Sequence, residues 1–340
     1  MSMEQSKKKG FLRYIHNFRG FAMLLIVGAH SIFYIANSSP REFRFLDVML
    51  EDSSILFLFI SGFLFQHLIA KFEYRSYLLR KAKFIILPYI IMSIPAILLF
   101  YLRPDFNGGS WILTDSFKSR PLIIQIILLY GTGAHQAQFW FMPMIALFYL
   151  ISPILKWIDE HPKLYYSIPV LIIISIVVGR PPLNNNTLQS FVYFFPIYLS
   201  GMFTSRYFDN IIHLLERYWI IMVSILLLST ASTFFADRVS FLEKFVMCQV
   251  VLLGFYKLSS EVVNRILDPI AKYSFGIFFI HKYCLIIIGY LLDKLLLRNV
   301  VSSGFIGLFL LFWTIVLLSL VSLVVMKTAL KKNSRIITGC

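Results

Sequence analysis

Charge is what this sequence has least of. Of its 340 residues only 14% are Asp, Glu, Lys or Arg, against about 25% in an ordinary soluble domain. A soluble fold needs a charged skin, so that class is excluded. Polar linkers are scarce too: the longest gap between apolar runs, Arg103 to Arg120, is too short to hold a soluble domain. Cysteine is nearly absent. Cys248, Cys284 and Cys340 are odd in number and two of them lie inside apolar runs, which gives neither a disulfide framework nor a metal-ligand spacing. Nowhere does the chain alternate apolar with polar residues in the manner of membrane barrel strands, and no fixed-period repeat is present.

What remains is apolar: 58% hydrophobic residues and a mean hydropathy of +0.76. Lipid is the solvent that suits such a chain, and in lipid the backbone must satisfy itself within helices. Windows of about 20 apolar residues fall near 20–37, 53–70, 84–102, 138–156, 164–179, 189–205, 218–235, 243–258, 273–292 and 303–326. They predict an all-α, polytopic membrane bundle of ten spans. The organisation is a basic lead-in over 1–19, a transmembrane domain over 20–326 and a basic tail over 327–340. An eleventh stretch, Pro121 to Tyr130, would cover roughly 15 Å, half the hydrocarbon core, and is expected to be re-entrant or interfacial. The cluster Lys7, Lys8, Lys9 precedes the first run as in a signal peptide, but no small-residue cleavage site follows, so that run is expected to stay as the first span.

Starting with the amino terminus in the cytoplasm, the ten windows place 21 of the 32 basic residues and 8 of the 17 acids on the cytoplasmic side. That obeys the positive-inside rule and puts both termini in the cytoplasm. The net charge of +15 is thereby explained by topology and by anionic membrane lipid, and no nucleic-acid partner is expected.

Ionisable groups at membrane depth are costly and mark function by default. His30 leads. Eleven steps of about 100° from Arg19 return to the same helix face about 16.5 Å further along, so Arg19 stands at the cytoplasmic mouth and His30 past mid-bilayer. The bland alternative is a snorkelling arginine and a histidine bonded to a neighbouring helix. In the ninth span, Ser274 and His281 share a face, whereas Lys282 points about 100° away and is not expected to share a site with His281. A satisfied interhelical histidine is the alternative there. Ser61-Gly62, a small pair inside FLFISGFLF, admits close approach by a helix or a ligand; the serine has nothing at fixed spacing to activate it. Arg80, Lys81 and Lys83 before Pro88 suit either lipid headgroups or a phosphate-rich ligand. His135 and Trp140, opening the fourth span, could line an outward pocket or anchor the chain at the interface.

These residues carry a resemblance. Arg19 and His30 with ten residues between, then FISGF, a basic stretch ending at Pro88, FWFMP, and YSFGIFFIH late in the chain resemble, in order, the acyltransferase-3 family of membrane O-acyltransferases. The resemblance implies a ten-span protein of the bacterial cytoplasmic (inner) membrane that transfers an acyl group, usually acetyl from cytoplasmic acetyl-CoA, to a hydroxyl of a surface polysaccharide or lipid-linked glycan. It also implies that His30 is the essential histidine, Arg19 its partner, and Arg80 with Lys81 and Lys83 the donor-binding basic motif. No metal is implied. The sequence departs from the pattern in three ways: His16 stands where the family commonly has an Asp, Ile55 where an acidic or prolyl residue often precedes FISGF, and Lys81 or Lys83 where the loop motif has a second arginine. Many relatives add an extracytoplasmic hydrolase-like domain. Without one, the expectation is a chain acting alone, as a homo-oligomer, or by handing off to a partner protein.

Together these readings give a mechanism: cations at the cytoplasmic face hold the donor's phosphates while its flexible arm reaches His30, acting as general base or as acyl carrier. The rival is an exporter of polysaccharide or lipid-linked sugar, which predicts broken half-helices in paired positions; the sequence shows one short run and no counterpart.

Overall fold

Proline and glycine mark some helix boundaries of this chain, as Pro121 and Gly133 do around one short helix, whereas Pro95, Pro196 and Pro269 lie inside helices. The computed structural model describes residues 11–35, 40–102, 112–235, 240–258, 260–295 and 305–340. Lys7, Lys8 and Lys9 lie outside the described residues, as does the first half of the Arg103 to Arg120 gap. Among the described residues all regular structure is helical: α1 Arg13–Ser31, α2 Pro40–Leu50, α3 Ser54–His67, α4 Tyr74–Lys81, α5 Leu87–Leu102, α6 Asp115–Lys118, α7 Leu122–Thr132, α8 Phe141–Leu150, α9 Ser152–Glu160, α10 Ile168–Val178, α11 Thr187–Arg206, α12 Phe208–Arg217, α13 Trp219–Phe235, α14 Ser240–Lys257, α15 Glu261–Lys294, α16 Phe305–Leu330 and α17 Ser334–Ile337.

By length and composition the described helices supply four membrane spans, Phe43–His67, Tyr74–Leu102, Glu261–Lys294 and Phe305–Ile337, or six if each of two bent pairs counts as one. The bent pairs are α8 with α9, at 55°, and α12 with the helix that follows it, at 78°. Ten windows thus become fewer long helices because several runs break: α9 and α12 are amphipathic segments that leave the line of their neighbours, as interfacial helices do. Helices of 18 to 20 residues also cover the first, sixth and eighth windows as α1, α11 and α14. The Pro121 run forms an 11-residue helix, α7, too short to span.

The chain divides into two compact units. The first holds 1–60, 207–329 and 340; the second holds 61–206 and 330–339.

In the first unit α1 lies along α15. Gly20 permits this, since a Cβ there would stand 2.9 Å from the Leu267 carbonyl oxygen. Phe18 sits between Phe59 and Phe255, at centroid distances of 6.1 and 6.3 Å. A buried ion pair opens α14: Lys244 Nζ donates to Glu243 Oε1 at 3.0 Å and to the carbonyls of Val48 and Met49 at 2.9 and 3.1 Å. The ammonium therefore satisfies carbonyls left open at the C-terminal end of α2.

The second unit is built on aromatic rings around Tyr198. Phe148 stacks on it at 4.5 Å and Phe65 lies at 6.3 Å. Glu73 caps α4, its carboxylate accepting from the amides of Arg75 and Ser76 at 3.0 and 2.6 Å; these bonds, the Ser76 hydroxyl foremost, hold its pKa below the usual carboxylate range. A π-helical turn, Ala82–Ile86, joins α4 to α5. Pro88 explains it: the ring has no N–H to give and crowds the carbonyl four residues back, so the turn widens.

Candidate active site

On α1 the two leading residues are held against α15. Arg19 Nη2 donates to the Ala271 carbonyl at 2.7 Å, while its Nε has no partner. Eleven residues further along, the His30 ring meets that of His281, with centroids 5.2 Å apart and planes 35° from parallel. From Ala271 to His281 is ten residues, so α1 and α15 run parallel. Two helices of equal rise carry the contact from one end to the other.

His281 is buried, 1% exposed. Its Nδ1 is 2.9 Å from the Ile277 carbonyl; a carbonyl can only accept, so Nδ1 carries the proton and Nε2 is left as a bare lone pair. That Nε2 is buried and unpartnered. Ile277 belongs to the same helix, so this bond is not the interhelical one of the bland alternative. Lys282 lies within electrostatic reach of both imidazoles. The 100° offset pointed elsewhere, but a four-carbon stem is long enough to swing the charge back. Ser274 is buried on the same face as His281, two turns toward Ala271. At the Arg19 end, α15 supplies a carboxylate that the α1 sequence lacks. Asp268 Oδ1 accepts from Arg13 Nη1 at 3.0 Å, and His16 Nε2 lies 3.2 Å from the same oxygen.

The remaining candidates belong to the second unit and are grouped differently. A Cβ on Gly62 would overlap the Tyr198 carbonyl, so its smallness serves the packing of α3 on α11; Ser61 beside it is half-buried. His135 is fully buried, with Nδ1 3.0 Å from the Leu129 carbonyl and Nε2 unpartnered. Its ring is packed by Tyr89, Tyr130 and Phe139. Trp140 stacks on Phe194 at 5.6 Å and carries the Arg180 guanidinium 5.5 Å above its ring. In the basic stretch the three cations part company. Lys81 Nζ stands over Tyr149 and Tyr77 at 4.7 and 5.2 Å, whereas Arg80 and Lys83 are exposed.

Two groups escaped the sequence reading, Asp268 and the Glu243–Lys244 pair, and Lys282 was set aside by it. Each is an ionisable residue in or beside an apolar window, which is the one signal that could have found them.

Residues 12–326 match the profile of a family described as an acyltransferase domain, acyltransferase-3. No curated protein and no solved structure matches the chain.

Proposed function

The chain belongs to the acyltransferase-3 family and is a membrane acyltransferase; from that premise we propose that it moves an acetyl group from cytoplasmic acetyl-CoA to a hydroxyl of a surface polysaccharide or lipid-linked glycan, across a bacterial cytoplasmic membrane with both termini inside. The observation that carries this reading is the His30–His281 contact inside paired helices. Two imidazoles meet there, and the Lys282 ammonium is near enough to act on both. Such a group suits removal of a hydroxyl proton and support of negative charge on a thioester carbonyl oxygen.

His30 takes the proton from the acceptor hydroxyl as its oxygen attacks the thioester carbon. Lys282 faces the oxygen on which charge develops. When the C–S bond breaks, His30 returns the proton to the sulfur, so the products are the ester and a thiol. In the covalent variant of the route, a His30 nitrogen bonds the acyl carbon as the C–S bond breaks and the ring's N–H proton passes to the departing sulfur; the hydroxyl then displaces the imidazole, which leaves with the hydroxyl proton. Acid-quenched protein carrying label on His30 after incubation with radiolabelled acetyl-CoA would select that variant. For the donor's phosphates, the unpartnered Nε of Arg19 is the proposed contact within the unit that carries His30.

An exporter would need half-helices meeting in mid-bilayer. The bent pairs break at Ile151 and Tyr218, beside basic cytoplasmic loops in the proposed topology, and do not supply them.

Mass spectrometry of surface glycans from cells with and without the gene tests the proposal. A difference of one acyl group is expected, and it should vanish in His30→Ala at equal abundance. Normal acylation in that variant would remove His30 from the mechanism.

A further inference from the structure

The basic turn of the second unit gains a cation from outside the family match. The match ends at residue 326, and α17, at 334–337, packs against the π-turn Ala82–Ile86 and α5. Its docking is built: Ser334 and Thr338 are buried, and Thr338 Oγ1 donates to the Ser334 carbonyl at 2.9 Å. Between them Arg335 is exposed, its guanidinium carbon 4.3 Å above the Phe84 ring. Lys83 Nζ is 5.5 Å from the same ring, so the two cations lie no more than about 10 Å apart. Arg80 stands three residues before Lys83, on a neighbouring part of the helix surface.

Among the described residues none of these three cations has an acidic partner. Glu73, the nearest acid in sequence, is spent on capping α4. Like charges held together without a counter-ion repel unless an anion joins them. Lys81 is not part of the group, because its ammonium is taken up by two tyrosine rings.

We infer that Arg80, Lys83 and Arg335 form a phosphate-binding site in which the tail supplies the second guanidinium. Two planar forks and one ammonium suit phosphate oxygens, since each fork can make paired charge-assisted bonds. The ligand is the phosphate of the acyl-CoA donor or that of an anionic lipid headgroup, and the donor case rests on the function proposed above.

The test uses the full-length protein in phosphatidylcholine nanodiscs with radiolabelled CoA, read as a dissociation constant. If the donor is the ligand, R335Q raises that constant about five- to tenfold, the effect of removing an exposed charge-assisted contact, and R335K recovers part of it. F84L, which removes the ring but no charge, shifts binding in the same direction and controls for a misfolded tail. If the ligand is a headgroup, CoA binding is unchanged, but the wild type retains more phosphatidylglycerol than R335Q when discs contain both lipids. Changes within twofold in both arms overturn the inference. Because binding is read without turnover, a protein that binds CoA through Arg335 yet transfers nothing refutes the proposed function alone; one that transfers normally and ignores R335Q in both arms refutes the site alone.

Discussion

His281 can be divided into its two nitrogens, and the structure says what each half is worth. Nδ1 donates to the Ile277 carbonyl at 2.9 Å, and Nε2 is bare and buried beside His30. Asparagine carries an amide that reaches the Nδ1 position and nothing at Nε2; glutamine reaches the Nε2 position with an amide that cannot accept a proton at neutral pH. The Nδ1 bond is the small term. Side-chain hydrogen bonds within membranes contribute about 0.6 to 2 kcal/mol. Loss of 2 kcal/mol from a fold stable by about 5 to 15 kcal/mol leaves more than about 99% of the molecules folded. Proton transfer by His30, which the bare Nε2 beside it would support by accepting from the imidazolium, is the large term, worth about 10² to 10⁴ in rate. His281→Asn and His281→Gln should therefore both lose at least about a hundredfold in turnover, while their melting temperatures stay close to that of the wild type. The assay is label transfer from radiolabelled acetyl-CoA to envelope glycan in membrane vesicles, normalised to folded enzyme. More than half the activity surviving in the Asn variant would show that Nε2 takes no part, and His281 would leave the site.

Three further outcomes are expected. Lys244→Met strips the buried Glu243 carboxylate of its counter-ion and should cost about 3 to 5 kcal/mol, seen as a lowered unfolding midpoint in detergent; a loss below about 1 kcal/mol would mean that the two side chains are not an ion pair. Gly62→Val drives a branched side chain into the Tyr198 carbonyl and should cost at least about 1 to 3 kcal/mol or abolish insertion of α3; a variant of normal stability would show that α3 and α11 can separate there. A phosphatase fused after Cys340 should be inactive, because it stays in the cytoplasm; an active fusion would contradict the ten-window topology and the depth assigned to His30.

The class of fold was legible because it depends on composition alone. Removing most charge and filling the chain with Phe, Ile and Leu forces helices in lipid whatever their order. The broken helices were less legible. A hydropathy window cannot tell a straight span from α8 and α9, since the window 138–156 runs through the 55° bend at Ile151, where α9 turns amphipathic while the average stays apolar. The short helix α7 could be read because its limit is a length, set by Pro121 before it and by Gly133 after it, whose φ of +71° ends the turn.

The site was legible on α1 and nearly illegible across from it. Helical spacing tells which residues of one helix share a face, but not what that face meets. Arg19 and His30 could be aligned by arithmetic, yet His281 and Lys282 reach His30, and Asp268 reaches Arg13 and His16, from some 250 residues away. What brings these partners into place is fixed at the Arg19 end of α1. There Gly20 lets α1 close on Leu267, and Arg19 fastens to Ala271. From that point two parallel helices rise together at about 1.5 Å per residue, so the imidazoles meet because the register was set eleven residues earlier. A slip by one turn would carry His281 about 5.4 Å from its place, further than the 5.2 Å now separating the rings. The closeness of the two histidines is thus decided at a position where the sequence shows only a glycine, and a reading that looks for chemistry in reactive side chains passes over it.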